Sequence, residues 1–244
     1  MKSLIKKLFA FSGYKLTKIL EDDPFNNPFF VQQQLLSEIS QLVIFDVGAH
    51  QGETALRYRN LFPDATLYAF EPTQNSFNIL CQNTEKYPNI LPVHSALGNK
   101  TGKIKLHINT FSQTNSVLPT HENAEHTWGK HLFETKNTEE VPVSTIHDFT
   151  AHRNIPKIDL LKIDAQGSEK MILEGAGKNL LKIKLIYTEM GIMPSYKEQA
   201  EFEDTLNLLL SNNFVLYNFY NLSTTKTGQL RQMDAVFLNK NFIP

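Results

Sequence analysis

One cysteine and one tryptophan in 244 residues, almost no net charge, and none of the compact motifs that mark the commonest catalytic classes: the chain is first defined by what it lacks. A single cysteine, Cys81, cannot close an internal disulfide, so a reducing cytosol is the expected compartment. Between Leu80 and Gln82 in a helix-like run, Cys81 reads as a small buried hydrophobe. The 24 basic and 25 acidic side chains leave a formal net charge of -1. That removes the overall electrostatic attraction on which nucleic-acid binding rests, and no nucleic-acid partner is expected. There is no Gly-x-Ser-x-Gly elbow, no phosphate-binding P-loop and no paired-cysteine metal motif. Internal repeats and low-complexity segments are missing too.

What is present is enough apolar material, 41% of the residues, for one α/β domain with a substantial core. The first 20 residues carry Lys2, Lys6, Lys7, Lys15 and Lys18 and no acid, interleaved with Leu4, Ile5, Leu8, Phe9 and Phe11 at helical spacing. A basic amphipathic helix is expected there. Lys6 and Lys7 break the apolar run, which is too short for a signal peptide core or a membrane span. Peripheral contact with an anionic membrane surface is one use for such a helix. Packing across the domain with its lysines in water is the commoner one. Glu21 to Phe30, with Pro24 and Pro28, is a turn-rich connector, and Val31 to Ser40 reads as a short helix. Residues 1–40 therefore form a helix and connector, and 41–244 the main domain.

From Leu42 onward strand and helix patterns alternate. Strands are predicted at Leu42 to Val47, Ala65 to Phe70 and Ile90 to His94, with helices at Glu53 to Phe62 and Asn75 to Glu85 between them. Such alternation implies βαβ units and a mostly parallel sheet with helices on both faces. Lys103 to Ile108 and Val141 to Ile146 alternate as half-exposed strands. The polar stretch 109–140 between them has little apolar period and is expected to be an inserted lid or substrate loop. Then come a strand at Ile158 to Ile163, a helix at Ser168 to Gly175, a strand at Lys184 to Glu189 and a helix at Glu198 to Leu210. Phe214 to Tyr220 and Met233 to Asn239 close the chain as an antiparallel hairpin.

In an open sheet of this kind ligands bind beyond the carboxyl ends of the parallel strands. Four predicted strands end in a carboxylate: Asp46, Glu71, Asp164 and Glu189. After the first comes Gly48-Ala49-His50-Gln51-Gly52-Glu53. Glycines there let the backbone turn and a ligand approach closely. The dinucleotide fingerprint needs glycines at its first, third and sixth positions, but counting from Gly48 the third is His50 and the sixth Glu53. An acid in the first turn of a helix suits the helix dipole and repels a pyrophosphate. Glu71 follows the glycine loop at the offset of an acid that accepts from ribose hydroxyls, and with both oxygens free it can take the 2′- and 3′-hydroxyls together.

The runs Ile44-Phe45-Asp46-Val47-Gly48-Ala49-His50-Gln51-Gly52-Glu53-Thr54, Phe70-Glu71-Pro72, Ala96-Leu97-Gly98 and Ser144-Thr145-Ile146 before Asp148-Phe149, with Ile158 to Glu169 and Glu174-Gly175-Ala176, resemble the FkbM-type methyltransferases. The resemblance extends from about Leu42 to Asn239. It implies a class I methyltransferase, Rossmann-like fold and S-adenosylmethionine-dependent O-methylation of a sugar or natural-product hydroxyl, so the expected partner is a small-molecule or glycan acceptor. By the same resemblance Asp46, Gly48, His50 and Gly52 form the methionine and sulfonium end of the cofactor site and Glu71 holds the ribose. Ser95 and Ala96 lie near the adenine, and Asn115-Ser116 matches an element near the cofactor. One departure is Gln166, where the family usually has Glu.

An alcohol must lose its proton during methyl transfer, so a base or a metal is required. Asp164 and Glu189 either clamp Mg²⁺ or divide the work, with Asp164 as general base and Glu189 shaping the pocket; a structural role for Glu189 is a third reading. Glu169 is a further acid at that edge, or a helix-start charge. His50 either orients acceptor or cofactor or is a hydrogen-bonded loop residue. His121, His126 and His131 lack zinc-site spacing and are expected to line a loop. Trp128 stacks on a sugar or pins the insertion. Two other readings are a non-catalytic module that keeps the cofactor pocket and, less well supported, an NAD-dependent oxidoreductase.

Overall fold

The computed structural model describes residues 24–242. The basic helix expected over residues 1–20 lies outside them. The described residues divide into two units between Leu35 and Leu36. In the first, a 3-10 turn (Pro24–Asn26) leads into α1 (Pro28–Leu36). Pro28 occupies the first helical position, where its missing N–H costs nothing, and Asn27 Oδ1 accepts from the Phe29 N–H at 3.0 Å.

The second unit runs β1 (Val43–Val47), α2 (Glu53–Leu61), β2 (Thr66–Phe70), α3 (Gln74–Thr84), β3 (Ile90–Val93), β4 (Ala96–Leu97), β5 (Gly102–Asn109) and α4 (Ala124–Trp128). It continues with β6 (Thr135–Ser144), α5 (Ile146–His152), β7 (Ile158–Ile163), α6 (Glu169–Glu174), β8 (Ile183–Gly191), α7 (Phe202–Ser211), β9 (Phe214–Thr224) and β10 (Leu230–Asn239). Seven strands make the main sheet in the order β3-β2-β1-β7-β8-β10-β9. All neighbours are parallel except β10, which runs antiparallel to both β8 and β9. This is the expected class I methyltransferase architecture, a mostly parallel sheet closed by an antiparallel hairpin.

The chain adds strands outward from β1 to β3, then returns to the other side of β1 with β7. Right-handed crossovers in opposite directions put their helices on opposite faces of the sheet. The central strands are buried on both faces, which explains why every residue of β7 is buried and why its two charged residues, Asp159 and Lys162, are each paired. Phe45, Phe70, Phe149 and Ile186 belong to the main core. A second sheet, β4-β6-β5, stands apart with its own small core of Ala96, Leu106, Val141 and Val143.

Several boundaries differ from expectation for identifiable reasons. The strand expected at Val141 to Ile146 starts at Thr135 and stops at Ser144, because Thr145 caps α5 by accepting the Asp148 N–H at 2.9 Å. The Thr-x-x-Asp spacing is itself a helix-start signal. Helix α7 begins at Phe202 rather than Glu198: Glu198 is left-handed (φ 60°), and Gln199 Oε1 takes the N–H groups of Ser195 and Tyr196. Cys81 is a free thiol and only partly buried.

Candidate cofactor cleft and active site

A cleft of about 400 Å³ opens where the strand order reverses between β1 and β7, the position at which open α/β sheets bind ligands. Strand register explains what faces it. Val47 pairs with Phe70 and with Ile163, and Ile163 with Thr188. The next row is therefore Gly48, Glu71 and Asp164, each just past its strand, and Glu189, still within β8 and paired with Asp234 of β10. Asp46 lies two rows deeper, beside Lys162, its partner in the β1–β7 ladder.

Seven of the residues expected at the site line the cleft: Gly48, His50, Glu71, Ser95, Ala96, Asn115 and Asp164. Asp46, Gly52 and Glu189 are not among the lining residues. Asp46 is wholly buried, and its Oδ1 lies 3.0 Å from Lys162 Nζ. That ammonium also donates to the carbonyls of Val47 (3.3 Å) and Gly48 (3.1 Å). Asp46 thus acts on the glycine loop through Lys162, a residue the sequence reading passed over. The two-residue spacing of Lys162 and Asp164 on one strand put both on one face and was the available signal. Burial pushes the Asp46 carboxyl up despite the lysine. Burial works against the Lys162 charge as well, but Asp46 and Asp164 outweigh it and hold the ammonium above the usual lysine range.

The two glycines serve the protein's own packing. Gly48 is left-handed (φ 74°), and a Cβ there would stand 1.8 Å from the Asp164 carbonyl oxygen, so the ends of β1 and β7 meet only over a glycine. Gly52 is the left-handed N-cap of α2 (φ 97°), pressed against Leu80 of α3.

Glu71 is buried, and its oxygens are already engaged. Oε1 accepts from the Thr73 N–H at 2.8 Å and Oε2 from the His50 N–H at 3.0 Å. The expectation of two free oxygens is corrected: each has one remaining lone pair, which still matches a pair of vicinal hydroxyls. Burial raises the Glu71 carboxyl, against the pull of those donors. His50 is left-handed (φ 48°) and reaches the insertion through Nε2, 3.0 Å from Ser112 Oγ. Its Nδ1 is buried without a hydrogen-bond partner and stands 3.9 Å from Glu53 Oε2. Ser95 Oγ lies 2.8 Å from the Ala96 carbonyl, and Asn115 Oδ1 accepts from the Asn109 N–H at 2.8 Å.

At the other end, Asp164 Oδ1 accepts from Gln166 Nε2 at 2.8 Å. Glu169 accepts the N–H groups of both Ala165 (3.0 Å) and Gly167 (3.1 Å) on Oε1, so it closes the 165–168 turn; burial raises its carboxyl to about 7. Glu189 accepts from Gln232 Nε2 at 2.9 Å. Burial, then the charges of Asp164, Glu169 and Asp234, push it well above the usual carboxylate range. Among the described residues no group of three or more His, Cys, Asp and Glu side chains is arranged to hold a metal ion. Trp128 pins the insertion: Arg231 lies over its ring at 4.3 Å and donates to the Thr127 carbonyl at 3.0 Å.

These residues fit S-adenosylmethionine. The cleft has the volume of a nucleotide-sized ligand, Glu71 retains acceptor capacity, a buried imidazole nitrogen is without a partner, and the lining carboxylates match a cationic ligand.

Comparison with known proteins agrees. The 2-O-methyltransferase NoeI of Sinorhizobium fredii is 26% identical over 199 residues, which are 76% of this chain and 79% of that protein. The hexuronic acid methyltransferase AglP of Haloferax volcanii is 22% identical over 149 residues, 61% of this chain, and the match spans about half (55%) of AglP's own length. Methyltransferase 1 of Beauveria bassiana is 27% identical over 144 residues, 54% of this chain and 57% of its own. Residues 46–216, well over half of the chain, match the model of the Methyltransferase FkbM domain. The chain belongs to the FkbM family and is an S-adenosylmethionine-dependent methyltransferase.

Proposed function

We propose that the protein methylates a hydroxyl group of a sugar or a sugar-bearing natural product, with Asp164 as the proton acceptor. The observation that carries this is the charge of the cleft. Glu53, Glu71 and Asp164 line it, and among the described residues the one lysine that reaches it, Lys162, is committed to Asp46 and two carbonyls. Such a wall favours a sulfonium and disfavours the pyrophosphate of a nicotinamide dinucleotide. NoeI and AglP, both named for methyl transfer, the one at a 2-O position and the other to a hexuronic acid, support the acceptor class.

Bound S-adenosylmethionine supplies an electrophilic methyl group. The chain's own tasks are to orient, to remove a proton and to exclude water. Glu71 receives the ribose hydroxyls on its two remaining lone pairs. His50, tied to Ser112, fixes the glycine loop against the insertion. Asp164 takes the acceptor's proton. Glu189, which accepts from Gln232 and does not line the cleft, has a structural role and is not the base. The segment 110–134, between β5 and β6, selects the acceptor.

The test is turnover of S-adenosylmethionine on a panel of hydroxylated sugars. Asp164→Asn is expected to lower kcat by about 10² to 10⁴, the usual contribution of a general base, while S-adenosylhomocysteine affinity changes little. Unchanged kcat removes Asp164 from the reaction. Loss of turnover on adding a chelator reinstates the Asp164 and Glu189 pair as a metal clamp. A wild-type protein that binds the cofactor and methylates no member of the panel points to the non-catalytic module.

A further inference from the structure

Three contacts converge on Gln166, which lines the cleft next to Asp164. Its Nε2 donates to Asp164 Oδ1 at 2.8 Å, its Oε1 accepts from the Tyr196 hydroxyl at 2.9 Å, and its carbonyl accepts from Ser116 Oγ at 2.6 Å. Its backbone is left-handed (φ 52°), a conformation that a non-glycine residue keeps only when its surroundings impose it. They do. Ser116 holds the carbonyl, and the Tyr196 ring is packed so closely on Gly167 that a Cβ there would lie 2.8 Å from it. Tyr196 belongs to the same unit as the insertion, since it bridges to Thr120 and its hydroxyl also lies 2.9 Å from the Thr114 carbonyl.

An amide can donate to a carboxylate and accept from a phenol at the same time. A glutamate at 166 would turn acceptors toward both partners and, when charged, repel Asp164. The other charges around Asp164 are Lys162 on β7, Asp46 on β1, Glu169 on α6, Glu189 on β8 and Asp234 on β10. Four of these five are acids, and the lysine is engaged elsewhere. The donor aimed at the Asp164 carboxylate therefore comes from Gln166.

We propose that Gln166 is a positioning residue: its amide anchors the Asp164 carboxylate, which can only accept and so draws the Nε2 end toward itself. Tyr196, sharing its one O–H between Gln166 Oε1 and the Thr114 carbonyl, supports the other end. The carboxylate that takes the proton and the segment that meets the acceptor are thereby set as one unit. This rests on the methyl-transfer reading above.

Glu is the informative substitution, since it keeps size and shape and replaces the neutral donor by an ionisable acceptor. Gln166→Glu is expected to bind S-adenosylhomocysteine within a few-fold of wild type, yet to lose about ten- to a hundredfold in kcat at alkaline pH, the worth of a hydrogen bond to a charged group. The deficit shrinks as acidification protonates the new side chain and restores a donor. Tyr196→Phe loses less, and the double variant is no worse than Gln166→Glu alone. A crystal structure of Gln166→Glu shows the Asp164 carboxylate turned out of its wild-type orientation. A deficit that is the same at every pH, or one matched by lost cofactor affinity, overturns the proposal. If the wild type transfers no methyl group, the functional reading has failed by itself. The Asp164 orientation in the two crystal structures then decides this proposal independently.

Discussion

Lys162 shows how much of a site can rest on a side chain that never meets the ligand. It is buried, it neutralises Asp46, and it gathers the carbonyls of Val47 and Gly48 at the start of the glycine loop. Removing one partner of such a pair strands a charge in a dry interior, which costs far more than the pair contributes. Lys162→Met is therefore expected to destabilise the protein by about 3 to 5 kcal/mol in urea unfolding. Adding Asp46→Asn should return much of that loss; a Lys162→Met variant within about 1 kcal/mol of wild type would show the pair to be unimportant. At this scale the sequence was legible in part. It exposed the carboxylates at the strand ends but not their roles, because Asp46 differs from Asp164 only in its depth along the strand. Depth is set by register between strands more than 100 residues apart, and local pattern carries no trace of it.

Among the elements, the turn between β7 and α6 is the most heavily determined. Glu169 reads in sequence as a charge at a helix start, and the structure makes it the acceptor for two backbone N–H groups of that turn. Its carboxyl is raised from 4.5 to about 7 by burial, so the folded protein holds this proton more tightly than the unfolded chain does. Stability from this group is fully present below about pH 4.5 and declines as pH rises toward 7, since over that range the unfolded chain releases the proton while the folded protein still holds it. Glu169→Gln keeps the acceptor oxygen and removes the titration. Its denaturation midpoint should fall less than that of wild type between about pH 5 and pH 8, with a difference on the order of 3 kcal/mol. Equal slopes for the two proteins would place the titration elsewhere. The strands of the parallel sheet were readable because burial on both faces makes them rich in apolar, β-branched residues, interrupted only where a charged side chain such as Asp46 or Lys162 is paired. The start of α7 was not, since Gln199 turns back onto the N–H groups of Ser195 and Tyr196 and keeps the residues before Phe202 out of the helix. The short helix after β6 announces itself only through its Thr145-x-x-Asp148 cap and not through apolar period.

For the molecule as a whole, the near-zero net charge conceals a local excess of acid at the switch point of the sheet. The expected ligand response follows from that distribution. S-adenosylhomocysteine at a hundred times its Kd should stabilise the fold by about 2.7 kcal/mol, read as a rise in Tm, whereas NAD at the same concentration leaves it unchanged. A matching rise with NAD would reverse the assignment of the cleft.

The insertion is tied into the catalytic floor by Ser112 to His50, by Ser116 to the Gln166 carbonyl and by Thr120 to Tyr196. If the insertion selects the acceptor, as proposed, acceptor choice in this protein is not a detachable cassette. A loop from a relative, grafted between β5 and β6 to redirect the enzyme to another acceptor, would arrive without its anchors and would unsettle the turn that bears Asp164. Transfer of specificity calls for moving the segment together with positions 50, 166 and 196, and the same linkage constrains how far the loop can drift while the enzyme stays active.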